Sequence, residues 1–384
     1  MDFCFNEDAH FTRWVATAGL IEEPFVLVDV GVQDGEHARW HLLGDYLVVH
    51  GFDALDEAID PLRRANAGNP NRHYYQMALG SVDEERTFYV NVANPTASSM
   101  FRQGESRFDV DTVEQPRTVR VRRLDTLVAE GLIPRADFLK VDVEGFEMDV
   151  FMGAQELLRN GVLGAEAESN FSISAHYPRS HFADISDAVL GHGLLVFDLA
   201  FNRIPRARFQ RALERKGLAP ILRQDLIGKP ATLSVLYCRD AIQEADDPQA
   251  YVALPQPSSL DQLIKLMIIY ELHGLNDIAV DTAERFAGAL GARLDVERAV
   301  DLLADPECRK SSFDRSLERR IDELERSTSW RITAPLRALK RTLQKLTPGR
   351  GQPEPVALGV AADQVSTMPS GTPDAARRPC GSAR

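Results

Sequence analysis

The chain has 384 residues, of which 44% are hydrophobic, and a formal net charge of −13. That length holds one large domain with attachments, and the acidic balance excludes a body that grips nucleic-acid phosphates. Cys4, Cys238, Cys308 and Cys380 are scattered without a CxxC or HxC pairing; this excludes a disulfide framework and a zinc finger and agrees with a reducing, cytoplasmic compartment.

The N-terminal "MDFCFNEDAH" is acidic and lacks the apolar core of a signal peptide. Residues 1–23 read as a helical lead-in. No apolar run approaches the roughly 18 residues of a membrane span; the longest, "LIKLMIIYEL", is interrupted by charge. From residue 24 to 240 strand-like and helix-like patterns alternate. "FVLVDV" (25–30) is an apolar run ending at Gly31, "EHARWHLL" has a helical pattern, and "YLVVHGF" (46–52) is a second buried strand. "DEAIDPLRRAN" is the next helix and "HYYQMAL" (73–79) a third strand. "RTFYVNV" and "TVRVRRL" alternate as half-exposed strands do. "DFLKVDV" (137–143) is the next buried strand, followed by "FEMDVFMGAQELLRN" as one helix that stops at Gly161. "VLGAEAE", "LLVFDLA" and "TLSVLYC" supply three later strands.

Strands alternating with helices predict a mainly parallel sheet covered on both faces. Such sheets bind ligands beyond the carboxyl ends of their strands, which singles out Asp29, Asp53, Ala78, Asp142 and Glu168. Residues 241–258 read as a polar linker, 259–346 as a helical extension, and 347–384, rich in Pro, Gly, Ala and Ser, as a disordered tail. Residues 331–350 carry six basic residues and no acid. Over 333–346, Leu336, Leu339, Leu343 and Leu346 form an apolar stripe, with Trp330 just before. That pattern fits a basic amphipathic helix, peripheral at the inner face of a membrane or packed through 330–346 on the acidic body or a partner protein.

The turn "VDVGVQDG" sets Gly31 and Gly35 around Gln33. A pyrophosphate fingerprint needs glycine at position 33 and does not welcome Asp29 and Asp34. Carboxylates at the turn suit a cationic nucleoside such as S-adenosylmethionine, and Asp53 at the second strand end is placed to accept ribose hydroxyls. Each aspartate alone could equally be a helix cap.

Together with "GFDALDEAI", "MALGSVDEERTFYVN", "ASSM", "RVRRLDTL", "LLVFDLAFNR" and above all "DFLKVDVEGFEMDVFMGA", this turn resembles the FkbM family of S-adenosylmethionine-dependent methyltransferases over roughly residues 25–240. The family usually has Asn where Gln33 stands, and Asp34 is unusual for it. The resemblance implies an α/β class I methyltransferase fold, a Rossmann-like seven-stranded sheet whose last strand is antiparallel, with helices on both faces and here a C-terminal helical extension. It implies transfer of a methyl group to a hydroxyl of a sugar, a glycan or a secondary metabolite. It also implies that Asp29, Gly31, Gln33 and Gly35 line the methionine end, that Asp53 holds the ribose, that Met77 and Ala78 lie near the adenine, and that Asp142 sits beside the methyl donor.

A hydroxyl needs a base or a metal to take its proton. Asp142, Glu144 and His176 are the catalytic candidates. Glu147 reads as a helix-dipole residue and Asp149 as solvated surface. A divalent metal bridging Asp142 and Glu168 is possible in principle, but no ligand spacing is decisive and none is predicted. Ser98 and Ser99 read either as sugar-binding hydroxyls or as turn residues. Two further readings stand beside the methyltransferase. One is a nucleotide-sugar oxidoreductase or epimerase, disfavoured because no Tyr has Lys four residues later. The other is a non-catalytic scaffold, which the presence of Asp29, Asp53 and Asp142 opposes.

Overall fold

The computed structural model describes residues 6, 8–102, 114–171, 178–215, 228–246 and 259–305. His176, the basic helix at 333–346 and the tail 347–384 lie outside the described residues.

The strands are β1 (Phe25–Val30), β2 (Leu47–Asp53), β3 (Arg72–Gln76), β4 (Ala78–Leu79), β5 (Glu84–Asn91), β6 (Glu114–Arg122), β7 (Phe138–Val141), β8 (Gly164–Asn170), β9 (Leu195–Ile204) and β10 (Lys229–Cys238). The helices α1 (His10–Ala18), α2 (Asp56–Ala65), α3 (Leu124–Ala129), α4 (Glu147–Met152), α5 (Gln155–Arg159) and α6 (Phe182–Leu190) precede β9. After it come α7 (Ala207–Glu214), α8 (Ala241–Asp246), α9 (Leu260–Leu272), α10 (Asn276–Arg285), α11 (Ala287–Leu290) and α12 (Val296–Leu303).

Seven strands form one sheet in the order β3-β2-β1-β7-β8-β10-β9. β1 pairs in parallel with β2 and β7, while β10 runs antiparallel to β8 and β9. This is the class I methyltransferase topology. The chain leaves β1 toward β2 and β3 and then returns to the other side of β1 as β7, so the sheet's switch point lies between β1 and β7. The central strands are apolar on both faces because both are covered: Phe25 and Leu27 of β1 enter one core, and Val28 and Val30 enter the other. A smaller sheet, β4-β6-β5, is inserted between β3 and β7 and brings Phe88, Val90, Val119 and Val121 into a third apolar cluster with Phe146.

The structure departs from the sequence reading in four places. "EHARWHLL" falls in a 3₁₀ segment, Ala38–Tyr46, rather than an α-helix. The third strand breaks at Met77, and Ala78–Leu79 joins the smaller sheet. The helix after β7 is two short helices, because a Cβ on Gly153 would lie 2.0 Å from the Gly80 carbonyl oxygen; Gly153 sits where the chain touches that backbone. The start of the expected linker is helix α8.

The described part of the helical extension, residues 259–305, is continuous with the main core rather than an appendage. α9 is buried almost all round, as a helix apolar on every face must be, and its side chains share a cluster with Phe25 and Leu27. Its charges are answered at specific points. Lys265 Nζ meets Asp137 Oδ2 at 3.1 Å and the Pro24 carbonyl at 2.7 Å. Glu271 accepts from the Phe11 and Thr12 amides at 2.9 and 2.7 Å, capping α1, whose own N-cap Ala9 has no side chain to do so. Among the described residues no helix is long and apolar enough to cross a membrane.

Candidate active site

A cavity of about 450 Å³ opens at the switch point, within the roughly 300–1,000 Å³ typical of small-molecule sites. Gly31, Gln33 and Asp34 line it after β1, and Asp53, Ala54 and Leu55 after β2. Met77 and Ala78 line it after β3, and Asp142, Val143, Glu144 and Phe146 after β7. The inserted sheet closes the remaining side with Phe88, Ser98 and Met100. Of the sequence-predicted binding residues, Gly31, Gln33, Asp53, Met77, Ala78 and Asp142 therefore meet at one cavity, together with the catalytic candidate Glu144.

Gly31 has φ +85°, and a Cβ there would lie 1.9 Å from the Asp142 carbonyl oxygen. Its need for glycine comes first from the chain itself, since two backbone turns touch, and only then from any ligand. Gly35, with φ +91°, closes the same turn by donating its amide to Val32 O at 2.6 Å and is not among the cavity-lining residues. Asp29 does not line the cavity either; it is buried behind the turn, with Lys140 Nζ 3.5 Å from its Oδ1. Lys140 stands equally 3.5 Å from Asp142 Oδ2. Burial pulls the Lys140 pKa down, but the Asp29, Asp142 and Glu166 carboxylates outweigh it and hold the ammonium above its ordinary range. Lys140 thus lets two carboxylates approach one another at the floor of the site. Arg39 draws Glu166 away into an ion pair of its own.

Asp53 accepts from the Leu55 amide at 2.9 Å, so it closes the turn into α2 and lines the cavity at once. Burial pushes its carboxyl up to about 6, against the lowering effect of the Leu55 and Ala54 amides. The apolar surface around it, from Leu55 and Met77, is suited to a flat heterocycle.

The turn after β7 carries most of the chemistry. Glu144 has φ +53°, the one non-glycine residue with positive φ among the described residues. Such a backbone costs about 1–2 kcal/mol for a residue bearing a Cβ. Glu147 is fully buried and its Oε1 accepts from the Val143 and Gly145 amides at 3.1 and 3.0 Å. Burial raises its pKa to about 7, opposed by the Gly145 amide. Asp149 is likewise buried rather than solvated, taking hydrogen bonds from Ser81 Oγ at 2.9 Å and Arg179 Nε at 3.0 Å. Glu147 keeps its place in the first turn of α4, and both carboxylates are buried because α4 is anchored in the core through Val150 and Phe151.

Glu168 near the end of β8 completes the cluster. Carboxylate oxygens of Asp142, Glu144 and Glu168 all lie within 4.8 Å of one another, a hard-oxygen set of the kind divalent cations take. Burial, then Asp142, then Glu147 push the Glu168 carboxyl up to about 8. Sequence reasoning singled out Glu168 at a strand end and weighed it only as a possible metal bridge with Asp142, not as a catalytic residue; the signal was that position, one strand over from Asp142. His181 precedes α6 and stands 3.8 Å from Asp184. Ser98, which lines the cavity, accepts at Oγ from the Asn91 amide at 3.0 Å, and Ser99 Oγ donates to the Glu144 carbonyl at 2.6 Å.

Comparison with known proteins adds the following. Residues 29–185 match the family described as Methyltransferase FkbM domain. No curated protein matches the chain. Similar solved structures include the methyltransferase FkbM from Methylobacillus flagellatus KT, at 15% identity and TM-score 0.30, covering 59% of this chain and 47% of that one. Others are the magnesium protoporphyrin IX methyltransferase of Synechocystis PCC 6803 with bound SAM (9%, TM-score 0.29, 60% and 77% covered) and Aeropyrum pernix fibrillarin with natively bound S-adenosyl-L-methionine (8%, TM-score 0.29, 57% and 67%). The chain thus spans about half the length of the first of these. Scores this low add nothing to the family match or to the strand order, which stand by themselves.

Proposed function

Residues 29–185 form an FkbM methyltransferase domain, and from that premise we propose that the protein transfers the methyl group of S-adenosylmethionine to a hydroxyl oxygen of a sugar, a glycan or a related secondary metabolite. The observation that carries the hydroxyl is the carboxylate cluster in which Asp142 and Glu144 line the cavity and Glu168 lies within 4.8 Å of both. A hydroxyl is a weak nucleophile whose proton must go somewhere, and these carboxylates are the acceptors at hand.

The residues present fit the cofactor. Asp53 would take the ribose hydroxyls, and Leu55, Met77 and Ala78, which line the same cavity, would flank the adenine. Asp142 and Glu144 set negative charge opposite, where an ammonium and a sulfonium are favoured. Bound there, S-adenosylmethionine supplies an electrophilic methyl carbon. What this chain does is align and deprotonate. Asp142 and Glu144 hold the acceptor by hydrogen bonds, and the Glu168 carboxylate takes the hydroxyl proton on one of its oxygens. A group with a pKa near 8 has the basicity for that and is partly ionised at neutral pH. Lys140 Nζ, 3.5 Å from Asp142 Oδ2, sets a positive charge beside the acid cluster.

The test is transfer of labelled methyl from S-adenosylmethionine to a panel of free sugars, oligosaccharides and glycosylated metabolites, with the linkage read by NMR. An O-methyl product is expected. Label found only on nitrogen or carbon would reject the hydroxyl, and binding of NAD in place of S-adenosylmethionine would favour an oxidoreductase.

A further inference from the structure

Glu144 departs from the usual pattern of turns. The chain has Gly145 directly after it, with φ +103°, yet the turn also drives Glu144 into the left-handed region. Something must hold it there, and three hydrogen bonds do. Ser99 Oγ donates to the Glu144 carbonyl at 2.6 Å. The amides on either side, of Val143 and Gly145, both donate to Glu147 Oε1. Ser99 and Glu147 are both fully buried, so neither bond competes with water.

The two holders are themselves fixed. Ser99 is tied to β5 by a reciprocal pair, its amide to the Tyr89 carbonyl at 3.1 Å and the Tyr89 amide to its own carbonyl at 2.8 Å. Glu147 opens α4, whose Val150 and Phe151 are anchored in the core. Glu144 is therefore gripped from the inserted sheet on one side and from α4 on the other.

We infer that Ser99 and Glu147 are positioning residues: they keep the Glu144 backbone left-handed and thereby keep its carboxylate at the cavity beside Asp142 and Glu168. Neither residue lines the cavity. Their role in catalysis rests on the reading of the acid cluster given above, but the holding of the turn does not. Because Ser99 moves with the inserted sheet, the wall that carries Phe88 and Met100 and the acid cluster are mechanically one piece.

The experiment uses the full chain with isotope-labelled glutamate and glycine and needs no cofactor. NMR reads the φ of residue 144, and hydrogen exchange reads the amides of Val143 and Gly145. In folded Ser99→Ala and Glu147→Ala the positive-φ signature at 144 is expected to be lost and exchange at 143 and 145 to rise at least tenfold. Glu147→Gln, which keeps an acceptor oxygen, is expected to restore both. Glu144→Gly together with Ser99→Ala is expected to keep the positive φ, since glycine needs no holding. A merely structural role would lower the thermal midpoint without this pattern. Should Glu147→Ala fail to fold, Ser99→Ala decides. Retention of positive φ and native protection in folded Ser99→Ala overturns the inference. With an acceptor in hand, Ser99→Ala is expected to lower kcat at least tenfold and leave KM for S-adenosylmethionine within twofold. If wild-type protein binds no S-adenosylmethionine, the functional reading fails while the φ and exchange measurements still decide the holding of the turn.

Discussion

The turn after β1 and the turn after β7 stand in contact at the switch point, and they solve opposite problems. The first is relaxed. Gly31 takes a positive φ freely and gives up its side chain so that the Asp142 carbonyl can approach. The second keeps a full glutamate in the same region of backbone space, held by Ser99 and Glu147. The difference teaches where each end of the cavity needs backbone and where it needs a functional group. At the turn after β1 the cavity is shaped by close approach, and at the turn after β7 by charge placed against strain.

The largest expected effect comes from removing the relaxed turn. Gly31→Ala puts a Cβ 1.9 Å from the Asp142 oxygen in a left-handed backbone, and should cost about 3 kcal/mol or more, read as a lowered midpoint in denaturant. Next is the acceptor end. Glu168→Gln should lower methyl transfer roughly 100-fold or more, and wild-type activity should climb with pH as Glu168 loses its proton, levelling above about 8. A pH profile flat between 6 and 9 would remove Glu168 from the proton's path. The same group has a stability sign. Its folded pKa is raised from 4.5, so its contribution favours the folded state in acid and is lost as pH rises from near 4.5 to about 8.

At the cofactor end, Asp53→Ala should weaken S-adenosylmethionine roughly tenfold, about 1.4 kcal/mol, through the lost hydrogen bonds to ribose. Because burial lifts Asp53 to about 6, wild-type affinity should fall as pH drops below that value, and the Ala variant should lose this dependence. The smallest effect sharpens the comparison most. Glu144→Gly should stabilise the protein by about 1 kcal/mol while lowering activity. If the variant is less stable than wild type, the turn is not strained. Methyl transfer should persist in EDTA, and loss on chelation would give the acid trio to a cation instead.

The relaxed end was largely legible in the sequence, and the strained end was not. "FVLVDV" followed by glycine reads as a buried strand and a tight turn, Asp53 and Ala78 follow from strand ends on a doubly wound sheet, and Met77 follows from the family resemblance. At the other end Asp142 and Glu144 could be singled out as acids, yet "VEGFE" does not say which residue turns left-handed, because Gly145 stands ready to absorb it. Glu147 at a helix start looks identical whether it faces water or caps the turn beneath it. Its burial depends on how α4 packs, and α4 is short because Gly153 meets Gly80, a contact between residues 73 positions apart. α9 could be read as a helix but not as part of the core, since its ties to Thr12, Pro24 and Asp137 span more than 120 residues.

The most direct test is a calorimetric titration of the full chain with S-adenosylmethionine, beside Asp53→Ala. A saturable one-site heat with wild type, weakened about tenfold in the variant, is the predicted result. No heat with well-folded wild-type protein, or equal binding by Asp53→Ala, would contradict it.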